Sequence, residues 1–233
     1  MTDAALSPAA VGALIDHTLL KADAAEEAIR RTAREAAEHG FASVCINPRW
    51  VRLVTEELRG SGVRTCTVVG FPLGATTTAA KVAETDEAVF NGASEIDMVV
   101  DIADANAGLH TEVQAQIDAV ARAAHDGGAI LKVILETALL SEEAKRLVCR
   151  AAEAAGADFV KTSTGFAGGG ATVEDLALMH EEVGGRLGIK ASGGIRTYSD
   201  AVRALDAGAT RLGASASLDI VGAQTHDSAE NAY

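Results

Sequence analysis

Residues 151–162 read AAEAAGADFVKT, an alanine-rich helical pattern that gives way at Gly156 to a short apolar strand pattern. Glycine at this point is typical of the left-handed residue that ends a helix. The same order of helix, glycine and strand recurs along the chain, with further left-handed helix ends expected at Gly40, Gly60, Gly92, Gly127 and Gly208. Strands are predicted at 14–19, 42–46, 64–69, 95–101, 130–135, 158–162, 188–191 and 210–213. Helices are predicted near 24–39, 48–59, 78–91, 110–126, 141–155, 172–185 and 198–207.

This alternation predicts a parallel sheet that is covered by helices on both faces. A doubly wound open sheet is the alternative, but its GxGxxG pattern after the first strand is missing. Eight units in 233 residues fit a single (β/α)8 TIM barrel. We therefore expect residues 1–233 to form one domain, with a mobile tail from about residue 222.

The composition narrows the classes of partner and location. The net charge of −13 disfavours nucleic acid and anionic membranes, and 3% aromatic residues leave little for base stacking. The sequence has no run of about 18 apolar residues, so no membrane helix is predicted. No basic segment precedes the first apolar stretch, as it would in a signal peptide. The three cysteines, at 45, 66 and 149, form no CxxC pair and fit a reducing compartment. We expect a cytoplasmic protein, with Cys45 a small buried core residue.

Charged residues inside apolar strands are the strongest functional signal. Lys132, Lys161, Lys190 and Asp97 lie on the fourth to seventh predicted strands. A lysine in a doubly covered strand needs either a partner or a position near the barrel mouth, where this fold carries its active sites. One such lysine alone fits a structural ion pair. Three on adjacent strands, with too few acids at matching positions, predict ammonium groups crowded around one carboxylate.

Crowding of this kind suggests a reaction. Neighbouring positive charge and desolvation both lower the pKa of a lysine amine, which can then attack a carbonyl to form an imine. The imine serves as an electron sink for breaking or making an adjacent C–C bond, and Asp97 is placed to move protons directly or through water. The residues therefore predict a Schiff-base lyase. The six histidines show no HExxH or paired spacing, so no zinc site is expected.

Glycine-rich segments follow the late strands, at 192–197 and 213–217. Loops after strands seven and eight commonly hold a phosphate in this fold, because backbone N–H groups and a helix N-terminus face the anion. Thr164 and Gly165 after strand six would add donors. The alternative is that the glycines in these loops only form tight turns. Asp16 and Thr18 share one face of the first strand and are expected at the mouth. Glu136 either joins the site or caps the next helix.

Taken as a set, these motifs resemble the deoxyribose-phosphate aldolase family of class I aldolases, which have a (β/α)8 fold. The resemblance runs from residue 15 to the C-terminal residue. It rests on the segments IDHTLLK (15–21), VCINP (44–48), VGFPLG (69–74), EIDMV (95–99), LKVILET (131–137), VKTSTGF (160–166), IKASGGIR (189–196) and RLGAS (211–215).

The resemblance implies reversible cleavage of 2-deoxy-D-ribose 5-phosphate to acetaldehyde and D-glyceraldehyde 3-phosphate, without a metal or other cofactor. Lys161 matches the Schiff-base lysine, Lys190 a second lysine that lowers the pKa of the reactive amine, and Asp97 the proton carrier. Lys132 matches a further site lysine, and Asp16 and Thr18 match residues that line the pocket. The phosphate site is matched by Gly165, Gly193, Gly194 and Ser215.

Two positions qualify the resemblance. Some members carry a phosphate-binding lysine directly after the glycine of the KTSTG motif, where this chain has Phe166. Certain members end in a tyrosine on a mobile tail that reaches the site, and Tyr233 is this chain's match; a disordered end is the alternative. Members form dimers or tetramers, and we expect a homodimer. A phosphosugar isomerase, another Schiff-base aldolase and a silent phosphate-metabolite binder are the competing hypotheses.

Overall fold

The computed structural model describes residues 6–223, which contain a closed barrel of eight parallel strands in chain order. The strands are β1 (Ile15–Leu19), β2 (Ser43–Ile46), β3 (Arg64–Val69), β4 (Glu95–Val99), β5 (Ile130–Ile134), β6 (Phe159–Lys161), β7 (Gly188–Ser192) and β8 (Arg211–Ala214). The predicted (β/α)8 barrel is thereby confirmed, since β1 pairs with both β2 and β8. That the whole chain forms one domain stays a prediction. Most of the tail expected from about residue 222, with Tyr233, lies outside the described residues.

One helix precedes the first strand, and the other helices follow the strands and cover the barrel. In chain order, the helices are α1 (Pro8–Gly12), α2 (Glu26–His39), α3 (Val51–Glu57), α4 (Thr78–Phe90), α5 (Ile102–Asn106), α6 (His110–Asp126), α7 (Glu142–Ala154), α8 (Val173–Val183), α9 (Tyr198–Asp206) and α10 (Ser217–Ile220). The sequence patterns missed the short helices α1, α5 and α10, which are too brief to show helical periodicity. Because of α5, the fourth strand is shorter than predicted. β4 ends at Val99, because Asp101 caps α5 by accepting the N–H of Asp104.

Glycines end the helices largely as expected. The predicted left-handed backbone is present at Gly40, Gly60, Gly92, Gly156 and Gly208. The prediction is wrong at Gly127, which has φ −93°, while Gly128 has φ 79°. Gly127 is needed for another reason: a Cβ there would lie 2.1 Å from Cγ1 of Val89 on α4. This close approach fixes the position of α6 against α4.

The barrel wall separates two environments. Alanine, valine, isoleucine and leucine side chains fill the layer between strands and helices in one continuous apolar core. The barrel interior instead contains buried charged residues from alternate strand positions, because successive side chains of a strand point to opposite faces. Among the described residues, no helix is long and apolar enough to cross a membrane.

Candidate active site

Asp97 lies at the centre of a buried charge cluster inside the barrel. Its Oδ1 accepts a hydrogen bond from Lys132 Nζ at 2.8 Å, and its Oδ2 accepts from Lys161 Nζ at 2.8 Å and Lys190 Nζ at 2.7 Å. All four side chains are buried. Strand register brings them together, since Asp97 pairs with Lys132 and Lys161 with Lys190 on neighbouring strands. The structure thus unites the four strand charges that the sequence singled out.

The three lysines differ in position along their strands. Lys161 is the last residue of β6, whereas Lys132 and Lys190 are the middle residues of β5 and β7. In this fold, the carboxyl ends of the strands face the substrate. Lys161 is therefore the amine best placed to meet an incoming carbonyl.

Additional charged side chains contact the lysines inside the barrel. Lys132 Nζ is 2.6 Å from Glu95 Oε2, and Lys190 Nζ is 2.5 Å from Asp16 Oδ2. Arg211 Nη1 joins both acids, at 2.7 Å from Asp16 Oδ1 and 3.2 Å from Glu95 Oε2. Of these three residues, Asp16 is predicted from the sequence, whereas Glu95 and Arg211 are not. Strand parity was the available signal, because Glu95 shares a face with Asp97 and Arg211 shares one with Gly213.

These acids reverse one expectation about the lysines. Burial alone would lower the pKa of Lys190 and of Lys132, but their carboxylate partners outweigh it and raise both pKa values above the usual range. Burial would likewise raise the pKa of Asp97, yet Lys132, Lys161 and Lys190 hold it well below its ordinary value. The pKa of Asp16 is lowered in the same way by Lys190, Lys132 and Arg211, against burial. The buried acids thus favour the charged forms of Lys132 and Lys190, contrary to the lowered pKa that crowding alone predicts.

The loops after β6 and β7 contact each other through glycine backbone. Gly165, Gly193 and Gly194 all have left-handed backbone, at φ 87°, 83° and 81°. A Cβ on Gly193 would lie 2.9 Å from the Cα of Gly170, so the backbones of the two loops meet with no side chain between them. The N–H of Ala171 also donates to the carbonyl of Gly193 at 3.0 Å. The predicted phosphate-binding glycines therefore lie in one joined loop surface.

Glu136 belongs to this loop surface, which resolves the choice that the sequence left open. Its side chain caps no helix; instead, Oε2 accepts from the backbone N–H of Thr164 at 3.2 Å and from the Thr164 hydroxyl. The Thr164 hydroxyl oxygen in turn accepts the N–H of Phe166 at 3.0 Å. Glu136 is buried and has φ 59°, the one positive φ at a non-glycine position between residues 6 and 223. It orients the segment after the candidate Schiff-base lysine.

The remaining candidates lie around the mouth. The Thr18 hydroxyl donates to the carbonyl of Asp16 at 2.8 Å, and Thr18 and Ser215 line a cavity of about 370 Å³ between β1, α2 and the end of β8. Phe166 is 46% exposed and contacts Phe71 edge to face, with ring centroids 5.3 Å apart. Tyr233 lies outside the described residues.

A metal ion fits this interior poorly. Cys45, Cys66 and Asp97 have potential ligand atoms within 4.8 Å of one another, and both cysteines are buried, as expected for Cys45. However, Lys132 Nζ lies 3.3 Å from Cys66 Sγ and 2.8 Å from Asp97 Oδ1. A cation there would face ammonium groups that already occupy the carboxylate. The donor set is therefore suited to proton transfer and amine chemistry.

Comparison with known proteins agrees with the geometry. The family described as DeoC/LacD family aldolase matches residues 11–223. Deoxyribose-phosphate aldolase of Micrococcus luteus is 54% identical over 223 residues, covering 93% of this chain and 97% of the relative. The same-named protein of Streptococcus gordonii is 53% identical over 211 residues, covering 91% and 95%.

Solved structures give the same assignment. A putative deoxyribose-phosphate aldolase from Coccidioides immitis superposes with a TM-score of 0.89 at 43% identity, covering 93% of this chain and 86% of the other. The deoxyribose phosphate aldolase of Aeropyrum pernix, described as tetrameric, superposes with a TM-score of 0.87 at 33% identity, covering 93% and 91%. From the barrel, its central lysines and these relatives, we conclude that the chain belongs to the DeoC/LacD family of aldolases.

Proposed function

We propose that this aldolase reversibly cleaves 2-deoxy-D-ribose 5-phosphate to acetaldehyde and D-glyceraldehyde 3-phosphate, as a step of deoxyribonucleotide catabolism. The observation that carries the proposal is the position of Lys161, at the end of β6 and 2.8 Å from Asp97 Oδ2. It is supported by relatives at 53–54% identity that bear this activity in their names.

Lys161 would act as the nucleophile. Its neutral amine adds to the C1 carbonyl of the open-chain sugar, and loss of water gives an iminium ion. The C2–C3 bond then breaks: its electrons move into the iminium, the C3 hydroxyl loses its proton, and D-glyceraldehyde 3-phosphate leaves. Protonation of the resulting enamine at C2 and hydrolysis of the imine release acetaldehyde and restore Lys161. The iminium is the electron sink, so the reaction needs no metal.

Asp97 and Lys190 would serve the proton transfers. The Asp97 carboxylate accepts the hydrogen bond of Lys161, and because its pKa is held low it passes a proton on to water rather than retaining it. Lys190 keeps its charge beside the same oxygen and disfavours a second cation at Lys161. Lys132 would hold the other oxygen of Asp97 and fix the direction of the carboxylate.

Substrate binding is assigned to the mouth. Asp16 and Thr18 would line the sugar pocket. Backbone and hydroxyl groups of the loops after β6, β7 and β8 would bind the phosphate: Thr164, Gly165, Gly193, Gly194 and Ser215. Lacking a lysine at position 166, the chain would rely on these neutral donors. We further propose a cytoplasmic homodimer, in keeping with three unpaired cysteines and the family resemblance.

Borohydride trapping tests the assignment. With acetaldehyde present, reduction should leave a two-carbon adduct on the peptide that contains Lys161, detected by mass spectrometry. Lys161→Arg should abolish adduct and turnover, whereas Lys145→Arg, which changes an α7 lysine bound to Asp175, should leave both intact. An adduct on another lysine would contradict the role of Lys161.

Product analysis separates the competing functions. The aldolase should release acetaldehyde from 2-deoxyribose 5-phosphate. An isomerase would convert a phosphosugar without releasing acetaldehyde, and a binder would show affinity with neither turnover nor adduct.

A further inference from the structure

Ser192 places a hydroxyl group beside Lys190 at the mouth of the barrel. It is the last residue of β7 and lies two positions after Lys190, so both side chains point to the same face of the strand. A Cβ at Gly213, the neighbour of Ser192 on β8, would lie 2.3 Å from Ser192 Oγ and 3.1 Å from Lys190 Cε. The hydroxyl group therefore lies next to the side chain of Lys190, inside the barrel.

The backbone of Ser192 is held in place by the neighbouring segment. Its N–H donates to Thr162 Oγ1 at 3.0 Å, and the Thr162 hydroxyl donates to its carbonyl at 3.1 Å. The same carbonyl accepts the N–H of Ala171 at 3.1 Å. Because Thr162 directly follows Lys161, these bonds fix the position of Ser192 relative to the candidate Schiff-base lysine.

The side-chain oxygen of Ser192 is buried without a partner. Ser192 is 6% exposed, and its Oγ has no hydrogen-bond partner among residues 6–223. A buried hydroxyl without a hydrogen bond destabilises a fold, so such a group needs an explanation. Ser163 Oγ is unpartnered in the same way, but Ser163 lies beyond the end of β6, where strand alternation no longer fixes the direction of a side chain. Ser192 is therefore the stronger candidate for a contact with a ligand.

The order of groups along β7 matches the order of groups in the sugar. Lys190 donates to the central carboxylate of the site, and Ser192 follows it at the end of the strand. Gly193 and Gly194 come next and are assigned to the phosphate. In a sugar joined to Lys161 through C1, C3 carries the hydroxyl that loses its proton and C5 carries the phosphate. The C4 hydroxyl lies between these two groups, as Ser192 lies between Lys190 and the glycines.

We propose that Ser192 is a specificity-determining residue whose hydroxyl forms a hydrogen bond with the C4 hydroxyl of the bound sugar. A serine hydroxyl can donate and accept, which suits a hydroxyl partner. In the direction of synthesis, the same group is the C2 hydroxyl of D-glyceraldehyde 3-phosphate. Ser192 thus favours acceptor aldehydes that carry a hydroxyl next to the carbonyl carbon, and it helps to orient them for attack.

The inference rests on the proposed function, and two acceptor aldehydes test it. With acetaldehyde as the donor, kcat/KM is measured for D-glyceraldehyde 3-phosphate and for 3-phosphooxypropanal, which lacks only the C2 hydroxyl. Ser192→Ala should lower kcat/KM for the first about fivefold, the effect of losing one typical hydrogen bond, and leave it unchanged for the second. The ratio of the two values should therefore fall about fivefold. A ratio equal to that of the wild type overturns the proposal.

Two further variants control the comparison. Ser94→Ala removes a partly buried hydroxyl before β4, at the opposite end of the barrel, and should keep the wild-type ratio. Ser192→Cys keeps a side chain of similar shape but replaces the hydroxyl by a thiol, a weak donor and acceptor, and should also lower the ratio. This second variant carries the test if Ser192→Ala does not fold, and a wild-type ratio in Ser192→Cys then overturns the proposal.

Thermal unfolding without substrate separates binding from a structural role. Ser192→Ala should keep the wild-type Tm, because no hydrogen bond within the protein is lost. A lowered Tm together with equal losses of kcat/KM for both aldehydes would show a structural role and overturn the proposal. Absence of wild-type turnover with either aldehyde, with no adduct on Lys161 after borohydride reduction, would instead refute the proposed function and the inference with it.

Discussion

Lys161 and Lys190 donate to the same carboxylate oxygen, Oδ2 of Asp97, at 2.8 Å and 2.7 Å. The two ammonium groups therefore compete for one acceptor. Asp16 Oδ2 gives Lys190 a second anionic partner at 2.5 Å, and the pKa of Lys190 is raised as a result, against the effect of burial. In the proposed mechanism, Lys190 is therefore the lysine that stays charged, and Lys161 is the one that loses its proton.

Replacing Lys190 by leucine tests this assignment. Without the neighbouring cation, the ammonium form of Lys161 loses a repelling charge, so the acid limb of the pH–rate profile should move to higher pH. Activity at neutral pH should fall about a hundredfold, within the range of acid–base contributions. Lys190→Arg keeps the charge and should keep the acid limb in place. An unmoved limb in Lys190→Leu would rule out the electrostatic role.

Gly213 provides the space through which Lys190 reaches the acids. A Cβ at this position would lie 2.3 Å from Ser192 Oγ and 3.1 Å from Lys190 Cε. Gly213→Ala should lower kcat by about a hundredfold, because a displacement near 1 Å can cost that much. Adding Ser192→Ala removes the nearer obstacle and should restore only part of the activity. Full activity in the single variant would show that Lys190 adapts freely.

Lys81 gives a stability prediction outside the cluster. Its buried Nζ donates to the Val99 carbonyl at 2.7 Å and to Gln116 Oε1 at 2.8 Å, and burial lowers its pKa from 10.5 to about 8. Between these two pH values the unfolded chain binds more protons than the folded one. The free energy of unfolding should therefore gain up to about 1.4 kcal/mol per pH unit from this group as pH rises.

Lys81→Met removes this contribution. Denaturant unfolding at several pH values between 8 and 10.5 should show a smaller pH slope in the variant than in the wild type. Equal slopes would mean that Lys81 does not titrate as its burial implies.

Phe166 tests phosphate recognition directly. Phe166→Lys places an ammonium group beside Gly165 at a partly exposed position and should lower KM for 2-deoxyribose 5-phosphate several-fold, with less effect at high salt. KM for 2-deoxyribose should stay near that of Phe166→Gln, which loses the same contact with Phe71 without adding charge. Equal gains for both sugars would exclude a phosphate contact.

Tyr233 can be tested by deletion. If it assists proton transfer, removing it should slow exchange of the acetaldehyde methyl protons with solvent deuterium, as followed by NMR. Tyr233→Phe separates the hydroxyl from the ring. An exchange rate equal to the wild type in both variants would leave the residue without a role in this step.

Much of the barrel and part of the site could be predicted because their causes are local. Period-two alternation places Lys132, Lys161 and Asp97 on the inner face, and glycine after each helix marks the turns. Arg211 and Glu95 escaped notice because a charge near the start of a strand looks solvent-exposed in the sequence. The raised pKa of Lys190 depends on Asp16, a residue 174 positions away, which only closure of β8 onto β1 brings near.

Glu136 occupies a backbone conformation that glycine would adopt without strain. Strain of this kind typically costs about 1–3 kcal/mol and persists only where surrounding contacts hold it. Here those contacts are the bonds to Thr164, so the segment after Lys161 is already shaped before any sugar arrives. The conformational entropy of this segment is lost during folding rather than at each binding event. Substrate binding therefore does not carry this entropic cost.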